Sequence, residues 1–203
     1  VIETVVVDLG GVAAAFLPER RLAALAALSR LPEDLLQGRI FDSGLEARAE
    51  AGAYSLEEAQ TAVLAALDDR VSLAALIDAW AQAFEPNQAV LDRLDALPAP
   101  KVLFTNNGPM LDACLGGPLA RLRTSFDDVI CSWHLGARKP EAAAFRRAAM
   151  RLDRSPDTLL LRDDSADNVQ GARACGWQAE RVTSLAGLES ALAEYPELGG
   201  KLA

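Results

Sequence analysis

Only one histidine, His134, occurs in the 203 residues of this chain. That excludes mechanisms needing two imidazoles and leaves little room for a Ser-His-Asp triad, and a lone histidine is usually structural. Cysteine is scarce too, at three residues. Cys114, Cys131 and Cys175 show no CxxC spacing, so neither a disulfide framework nor a zinc site is expected and the thiols read as buried and reduced. Aromatics make up only 5% of the chain, so Ala and Leu must fill the core and helix should outweigh strand. No apolar run approaches the ~18 residues of a membrane span. Positive charge is in deficit, with a net charge of -9 and a pI near 4.7. Binding a nucleic-acid backbone needs clustered Lys and Arg, so that partner class is set aside, and a phosphate substrate would need local help from a metal. The chain opens on strand-like residues rather than a basic segment with an apolar signal core, and a cytoplasmic location is expected.

What is present is a strand that stops on an acid. Thr4-Val5-Val6-Val7 delivers the Asp8 carboxylate into the flexible turn Leu9-Gly10-Gly11-Val12. From about Pro18 to Phe84 the pattern is helical. Leu22, Leu25, Leu28 and Leu31 recur behind a proline suited to a first turn. Ser55 with Glu58 forms a capping box before Leu56, Ala59, Val63, Leu64 and Leu67. Leu73, Leu76, Ile77, Trp80 and Phe84 form another stripe. From Pro86 helix and strand alternate: helix 88–97, strand 101–105, helices within 109–125, strand 128–131, helix 141–152, strand 158–162, helix 165–175, a weak strand near 179–183 and a C-terminal helix. This order predicts an α/β fold, a Rossmann-like doubly wound parallel sheet (residues 1–16 and 86–203) with a small all-α cap at 17–85 inserted after the first strand.

Ligands bind outside the carboxyl ends of such strands. Asp8, Thr105 and the Asp163-Asp164 pair all fall there, and Lys139 lies just beyond the third long strand. A carboxylate can attack phosphorus and form an acyl phosphate. The charge on the transferring oxygens then calls for magnesium, a fixed ammonium and hydrogen-bond donors. Asp8, the Gly10 carbonyl, Asp163 and Asp164 offer hard oxygen ligands for Mg2+. Lys139 supplies the ammonium, Thr105 a hydroxyl, and glycines 10 and 11 let the backbone approach a phosphoryl group with N–H groups toward its oxygens.

The order Asp8-Leu9-Gly10-Gly11-Val12, Thr105-Asn106, Lys139-Pro140, Asp163-Asp164 resembles the four motifs of the haloacid dehalogenase (HAD) superfamily over residues 5 to 171, and the helical insertion resembles that superfamily's type 1 cap. Gly136-Ala137-Arg138-Lys139-Pro140-Glu141 and Asp163-Asp164-Ser165-Ala166-Asp167-Asn168 are most similar to its glucose-1-phosphate phosphatase-like group. The resemblance implies a phosphatase acting on a small-molecule phosphomonoester, with sugar phosphates among the candidates. It makes Asp8 the nucleophile, Thr105 and Lys139 phosphoryl-binding, and Asp163 and Asp164 magnesium-binding. The turn residues Leu9 and Gly10, with Asn106, are expected against the substrate.

One departure matters. Most phosphatases of the superfamily carry a second aspartate two residues after the nucleophile, where this chain has Gly10. Loss of a general acid typically removes ~10²- to 10⁴-fold in rate, about 3 to 5 kcal/mol of barrier. A surrogate acid from the cap, a leaving group that needs little protonation, or weak catalysis would each answer it. Asp42, Glu46, Arg48 and Glu50 are candidate cap contributors, with Arg20, Trp133 and Arg138 as further contacts; a solvated or packed surface residue is the plainer reading of each. Asp167 and Asn168 either cap their helix or orient the metal site. The runner-up readings are a phospho-ligand binding or regulatory module with little turnover, and a 2-haloacid dehalogenase, whose fourth motif resembles Ser-Ser rather than Asp-Asp. A phosphorelay receiver is contradicted by the order of the motifs. Both a monomer and a homodimer are compatible with the Ala/Leu-rich helices.

Overall fold

A computed structural model describes residues 1–195 and 198 of the chain. The remainder of the expected 86–203 segment, residues 196–197 and 199–203, lies outside the described residues. Among the described residues seven strands form: β1 (Thr4–Val7), β2 (Ala14–Phe16), β3 (Phe84–Pro86), β4 (Lys101–Thr105), β5 (Asp128–Cys131), β6 (Leu159–Asp163) and β7 (Gln178–Arg181). Five of them make one parallel sheet in the order β5-β4-β1-β6-β7. The chain steps outward from β1 through β4 to β5, then returns to the other side of β1 with β6. That reversal makes a crevice beside the end of β1.

Side-chain alternation sorts the sheet into two faces. Val5, Val7, Leu103 and Leu160 point into one apolar cluster. Val6, Phe104, Leu159 and Leu161 point into the other, where Phe104, Phe145 and Trp177 meet edge-on or tilted. Both faces are buried, which is why these strands read as continuous apolar runs rather than alternating ones.

The insertion holds α1 (Pro18–Ser29), α2 (Glu33–Leu36), a π-helical turn at Gln37–Asp42, α3 (Leu45–Glu50), α4 (Leu56–Ala66) and α5 (Leu73–Ala81). Pro18 opens α1, and both hydrogen bonds of the Ser55–Glu58 capping box form at 3.3 and 2.8 Å. Leu25, Leu36, Ile40, Leu76 and Trp80 join the same apolar cluster as Val5 and Leu103, so the insertion shares a core with the sheet. The remaining helices are α6 (Gln88–Asp95), α7 (Met110–Leu115), α8 (Ala120–Thr124), α9 (Ser132–Leu135), α10 (Ala142–Leu152), α11 (Ala166–Ala174) and α12 (Leu185–Ala193). Among the described residues no helix is long and apolar enough to cross a membrane. The three cysteines are free thiols, with Cys114 and Cys131 buried.

The ends of the insertion differ from the sequence expectation: Phe84, the last residue of the expected helical stripe, lies in β3 beyond the end of α5. β2 and β3 pair antiparallel, Ala14 opposite Pro86 and Phe16 opposite Phe84, and tie the two ends together. Three residues are too short to show a period of two, and Pro86 at the end of a two-stranded ribbon needs no ladder donor.

Candidate active site

The Asp8 amide donates to the Arg162 carbonyl at 2.8 Å, which sets the turn after β1 against β6. This brings three carboxylates from distant segments together: one oxygen each of Asp8, Asp163 and Asp164 lie within 4.8 Å of one another. Lys139 reaches into the same place. Its Nζ donates to Asp8 Oδ1 at 2.8 Å, Asp163 Oδ2 at 2.6 Å and the Phe104 carbonyl at 2.7 Å, so all three ammonium protons are used. Its backbone is clamped by Asn106, whose Nδ2 donates to the Lys139 carbonyl and whose Oδ1 accepts from the Lys139 amide, both at 2.8 Å. Asn106 therefore positions the lysine, and one amide proton remains for a ligand.

The charges interact strongly because they are out of water. Burial pushes the Asp8 carboxyl up, the Asp163 charge adds to this, and Lys139 with the Leu9 amide opposes it; the result is a pKa of about 6. Burial works against the Lys139 charge, but the Asp8 and Asp163 carboxylates outweigh it and hold the ammonium above its ordinary range. Asp164 is raised by burial and then by Asp163. Asp163 is fully buried, and its Oδ1 accepts from the Ser165 amide at 2.9 Å and from Asn168 Nδ2 at 3.0 Å. Asn168 thus steers this carboxylate as well as lying on the helix that follows, whereas Asp167 is exposed. The donor set is three carboxylates beside the Gly10 turn, all hard oxygens, and suits Mg2+. Gly11 supplies the room: a Cβ there would lie 2.7 Å from Asp164 Cγ and closer still to its Oδ2, and the glycine φ is +78°.

Gly11 is otherwise engaged than the sequence suggested. Its N–H donates to the Ala14 carbonyl at 2.8 Å rather than facing the cavity. Gly10 lines the cavity, while the Leu9 side chain is fully buried and offers only its backbone. Thr105 ends β4, and its hydroxyl accepts from Asn107 Nδ2 at 2.7 Å, which leaves its own proton to be directed at a ligand.

Above these groups is a cavity of about 420 Å³ lined by Asp8, Gly10, Thr105, Asn106, Lys139 and Asn168 from the sheet side, and by Phe16, Phe41, Glu46, Ala47, Glu50, Phe84 and Arg138 around them. Glu46 and Glu50, two of the four cap candidates named from the sequence, come from α3 and line the cavity. Glu46 pairs with the fully buried Arg21 at 2.7 Å, and Glu50 with Arg138 at 2.9 Å. Asp42 instead accepts from Gln37, Arg48 bonds Tyr54 and the Ser43 carbonyl, and Arg20 pairs with exposed Glu85. Trp133 packs beside His134, and neither lines the cavity; His134 is held by Asp112 at 2.9 Å, consistent with a structural histidine. Sequence reasoning missed the aromatic wall of Phe16, Phe41 and Phe84 and the role of Asn107. The first three come from separate segments and have no local signature; Asn107 was readable only as a turn residue after β4.

The haloacid dehalogenase-like hydrolase family model matches residues 2–176. The chain belongs to that family. Within this HAD family, a stretch of 80 residues is 36% identical to Phosphatase MT3486 of Mycobacterium tuberculosis, covering 39% of this chain and 37% of that protein. The chain thus matches little more than a third of that relative's length. A HAD-like family hydrolase from Porphyromonas gingivalis superposes with a TM-score of 0.74 at 24% identity, over 94% of this chain and 98% of that one. A HAD family enzyme from Bacteroides thetaiotaomicron, solved with magnesium and inorganic phosphate, gives 0.71 at 19% identity over 89% and 94%. These structures share the HAD fold with this chain: a five-stranded parallel sheet with a helical insertion after β1.

Proposed function

We propose that this HAD-family chain is a magnesium-dependent phosphatase that hydrolyses a small phosphomonoester through an aspartyl phosphate on Asp8. The observation that carries the reading is the Lys139 ammonium fixed between Asp8 and Asp163, with Asp164 completing a hard-oxygen triad, beside a ligand-sized cavity that Asp8 and Lys139 line. Asp8, Asp163, Asp164 and the Gly10 carbonyl would hold magnesium, which supplies neutralisation of charge on the phosphoryl oxygens. Lys139 keeps a positive charge at the same place and holds the Asp8 carboxylate in its ionised, nucleophilic form. The Thr105 hydroxyl, with the amides of the Leu9-Gly10 turn and Asn106, would bind the phosphoryl group.

The similarity to a curated phosphatase and the magnesium and phosphate bound to a fold relative support this reading. Residues 17–85 would act as the cap that closes over the substrate, with 1–16 and 86–203 as the catalytic core. We further assign the chain to the glucose-1-phosphate phosphatase-like group, with a sugar phosphate as substrate and the cytoplasm as its compartment; the free thiols agree with a reducing location. Gly10 is the observation behind the second reading, a phospho-ligand binding module of low turnover. The Asp163-Asp164 pair disfavours a dehalogenase, which needs no metal.

Phosphate release is measured from glucose 1-phosphate, glucose 6-phosphate and an aryl phosphate, with and without magnesium, for wild type and Asp8→Asn. Magnesium-dependent release lost in the variant supports the phosphatase. Equal inactivity of both proteins, with saturable binding of a sugar phosphate, supports the binding module.

A further inference from the structure

The phosphatase reading leaves one chemical role unfilled. An alkoxide leaves poorly without a proton, and at Gly10 there is no carboxyl group to give one. The ionisable side chains that line the cavity are Asp8, Glu46, Glu50, Arg138 and Lys139. Asp8 is the nucleophile. Lys139 has spent its three protons on Asp8, Asp163 and the Phe104 carbonyl, and a guanidinium such as that of Arg138 does not give up its proton in a protein. The choice falls between the two glutamates of α3.

Their partners separate them. Glu46 is bound to Arg21, whose side chain is only 2% exposed and packs against Phe41 and Trp80 at 4.8 and 4.5 Å from their ring centroids. Protonating Glu46 would strand a buried guanidinium that water cannot reach, which is costly. Glu50 is 15% exposed, but its partner Arg138 is 41% exposed and can be hydrated when the glutamate turns neutral. Glu50 alone can change charge without leaving an orphan behind.

Glu50 is also the more firmly placed. The Ser132 hydroxyl donates to its backbone carbonyl at 2.7 Å. A Cβ at Gly108 would meet Ala49 and the Glu50 nitrogen at 3.2 to 3.4 Å, and one at Gly52 would lie 2.8 Å from the Trp133 carbonyl. These close approaches pin the end of α3 to the sheet domain, so this carboxyl does not depend on the position of the rest of the insertion. An in-line displacement by Asp8 sends the leaving oxygen away from Asp8, toward the insertion side of the cavity.

We propose that Glu50 is the general acid and base of this phosphatase, doing from the insertion what the residue at position 10 cannot. As an Asp8 oxygen bonds to phosphorus and the bond to the leaving oxygen breaks, the Glu50 carboxyl proton passes to that oxygen and releases the alcohol. Glu50, now a carboxylate, takes a proton from water as the water oxygen bonds to phosphorus and the Asp8–phosphorus bond breaks. Phosphate leaves, Asp8 is again a carboxylate, and Glu50 is again protonated. Its environment suits this work: burial, opposed by Arg138, reinforced by Glu46 and again opposed by Arg21, pushes the Glu50 carboxyl up to about 7.

The inference rests on the phosphatase reading, and the experiment separates the two. kcat/KM, which reports steps through departure of the leaving group, is measured with magnesium for an alkyl phosphate and for 4-nitrophenyl phosphate, whose phenolate leaves without a proton. Glu50→Gln should lose ~10²-fold or more on the alkyl ester and at least tenfold less on the nitrophenyl ester, a difference that a positioning role would not produce. Arg138→Gln removes the cation that holds the Glu50 carboxyl down, so the alkaline limb of the alkyl-ester pH profile should move to higher pH. Equal losses on both esters overturn the assignment of Glu50. So does an unmoved limb in Arg138→Gln, a test that stands even if Glu50→Gln does not fold. Wild type that releases phosphate from neither ester, or Asp8→Asn as active as wild type, would instead overturn the phosphatase reading itself.

Discussion

Replacing Asp8 by asparagine should make the metal-free protein more stable while removing its activity. The Asp8 carboxyl is held at about 6 against an ordinary value of 3.8. A carboxyl raised in this way contributes stability that is complete below pH 3.8 and is lost as pH rises through about 6. At pH 8 the ionised group therefore costs the fold about 3 kcal/mol relative to its neutral form, from a displacement of roughly two pKa units. The substituted amide keeps the shape and a hydrogen-bond acceptor for Lys139, whose charge stays balanced by Asp163. That figure already sets the Lys139–Asp8 attraction against the burial, so the gain at pH 8 is about 3 kcal/mol, or ~6 to 12 °C for a chain of this size. Thermal melting in a chelator at pH 5 and pH 8 measures it. The advantage of Asp8→Asn should grow with pH, roughly doubling between these two values. A variant that melts below wild type at pH 8 would show that the Lys139 attraction outweighs the burial cost, and the reasoning would be wrong.

The other predictions concern the same cluster. Lys139→Met strands two buried carboxylates and should cost about 3 to 5 kcal/mol at pH 8; since the Asp8 carboxyl, which Lys139 holds down, then rises further, the deficit should narrow in melts at pH 5. Gly11→Ala drives a Cβ into the Asp164 carboxylate at a φ of +78°, so it should weaken magnesium binding at least tenfold and lower the melting temperature, both measurable by a magnesium titration of thermal stability. Magnesium at ~100 times its dissociation constant should stabilise wild type by about 2.7 kcal/mol, a rise of ~5 to 10 °C, and Asp164→Asn should abolish most of that rise.

Much of this arrangement was legible in the sequence because the sheet is buried on both faces. Val102-Leu103-Phe104 and Leu159-Leu160-Leu161 are unbroken apolar runs, and the polar residue that ends each run marks the edge of the site. Strand β4 falls where its run places it and β6 within a residue of the expected 158–162; β5 matches the expected 128–131, and α10 and α11 lie within a residue of the periodic pattern. The β2–β3 ribbon was hidden by its length, and the π-helical turn at Gln37–Asp42 by its likeness to an ordinary helical pattern. Arg21 sits in Pro18-Glu19-Arg20-Arg21, which reads as a solvated helix face, yet it is almost fully buried among Phe16, Phe41 and Trp80. Only long-range packing creates that niche. The same holds for the difference between Glu46 and Glu50: both look like surface acids, and their partners, Arg21 and Arg138, lie far along the chain. Gly10 and Gly11 looked equivalent in sequence. Their backbones separate them, since Gly11 carries the positive φ and makes way for Asp164.

The central claim is a covalent phosphate on Asp8, and it is open to direct trapping. Wild type mixed with a turned-over phosphomonoester and magnesium is quenched in acid, reduced with borohydride and digested, and the peptide containing position 8 is read by mass spectrometry. An aspartyl phosphate is reduced to homoserine, so homoserine at position 8 that requires both substrate and magnesium is the predicted result. Phosphate released in the same reaction with Asp8 unchanged, or with the modification on another residue, would contradict the account.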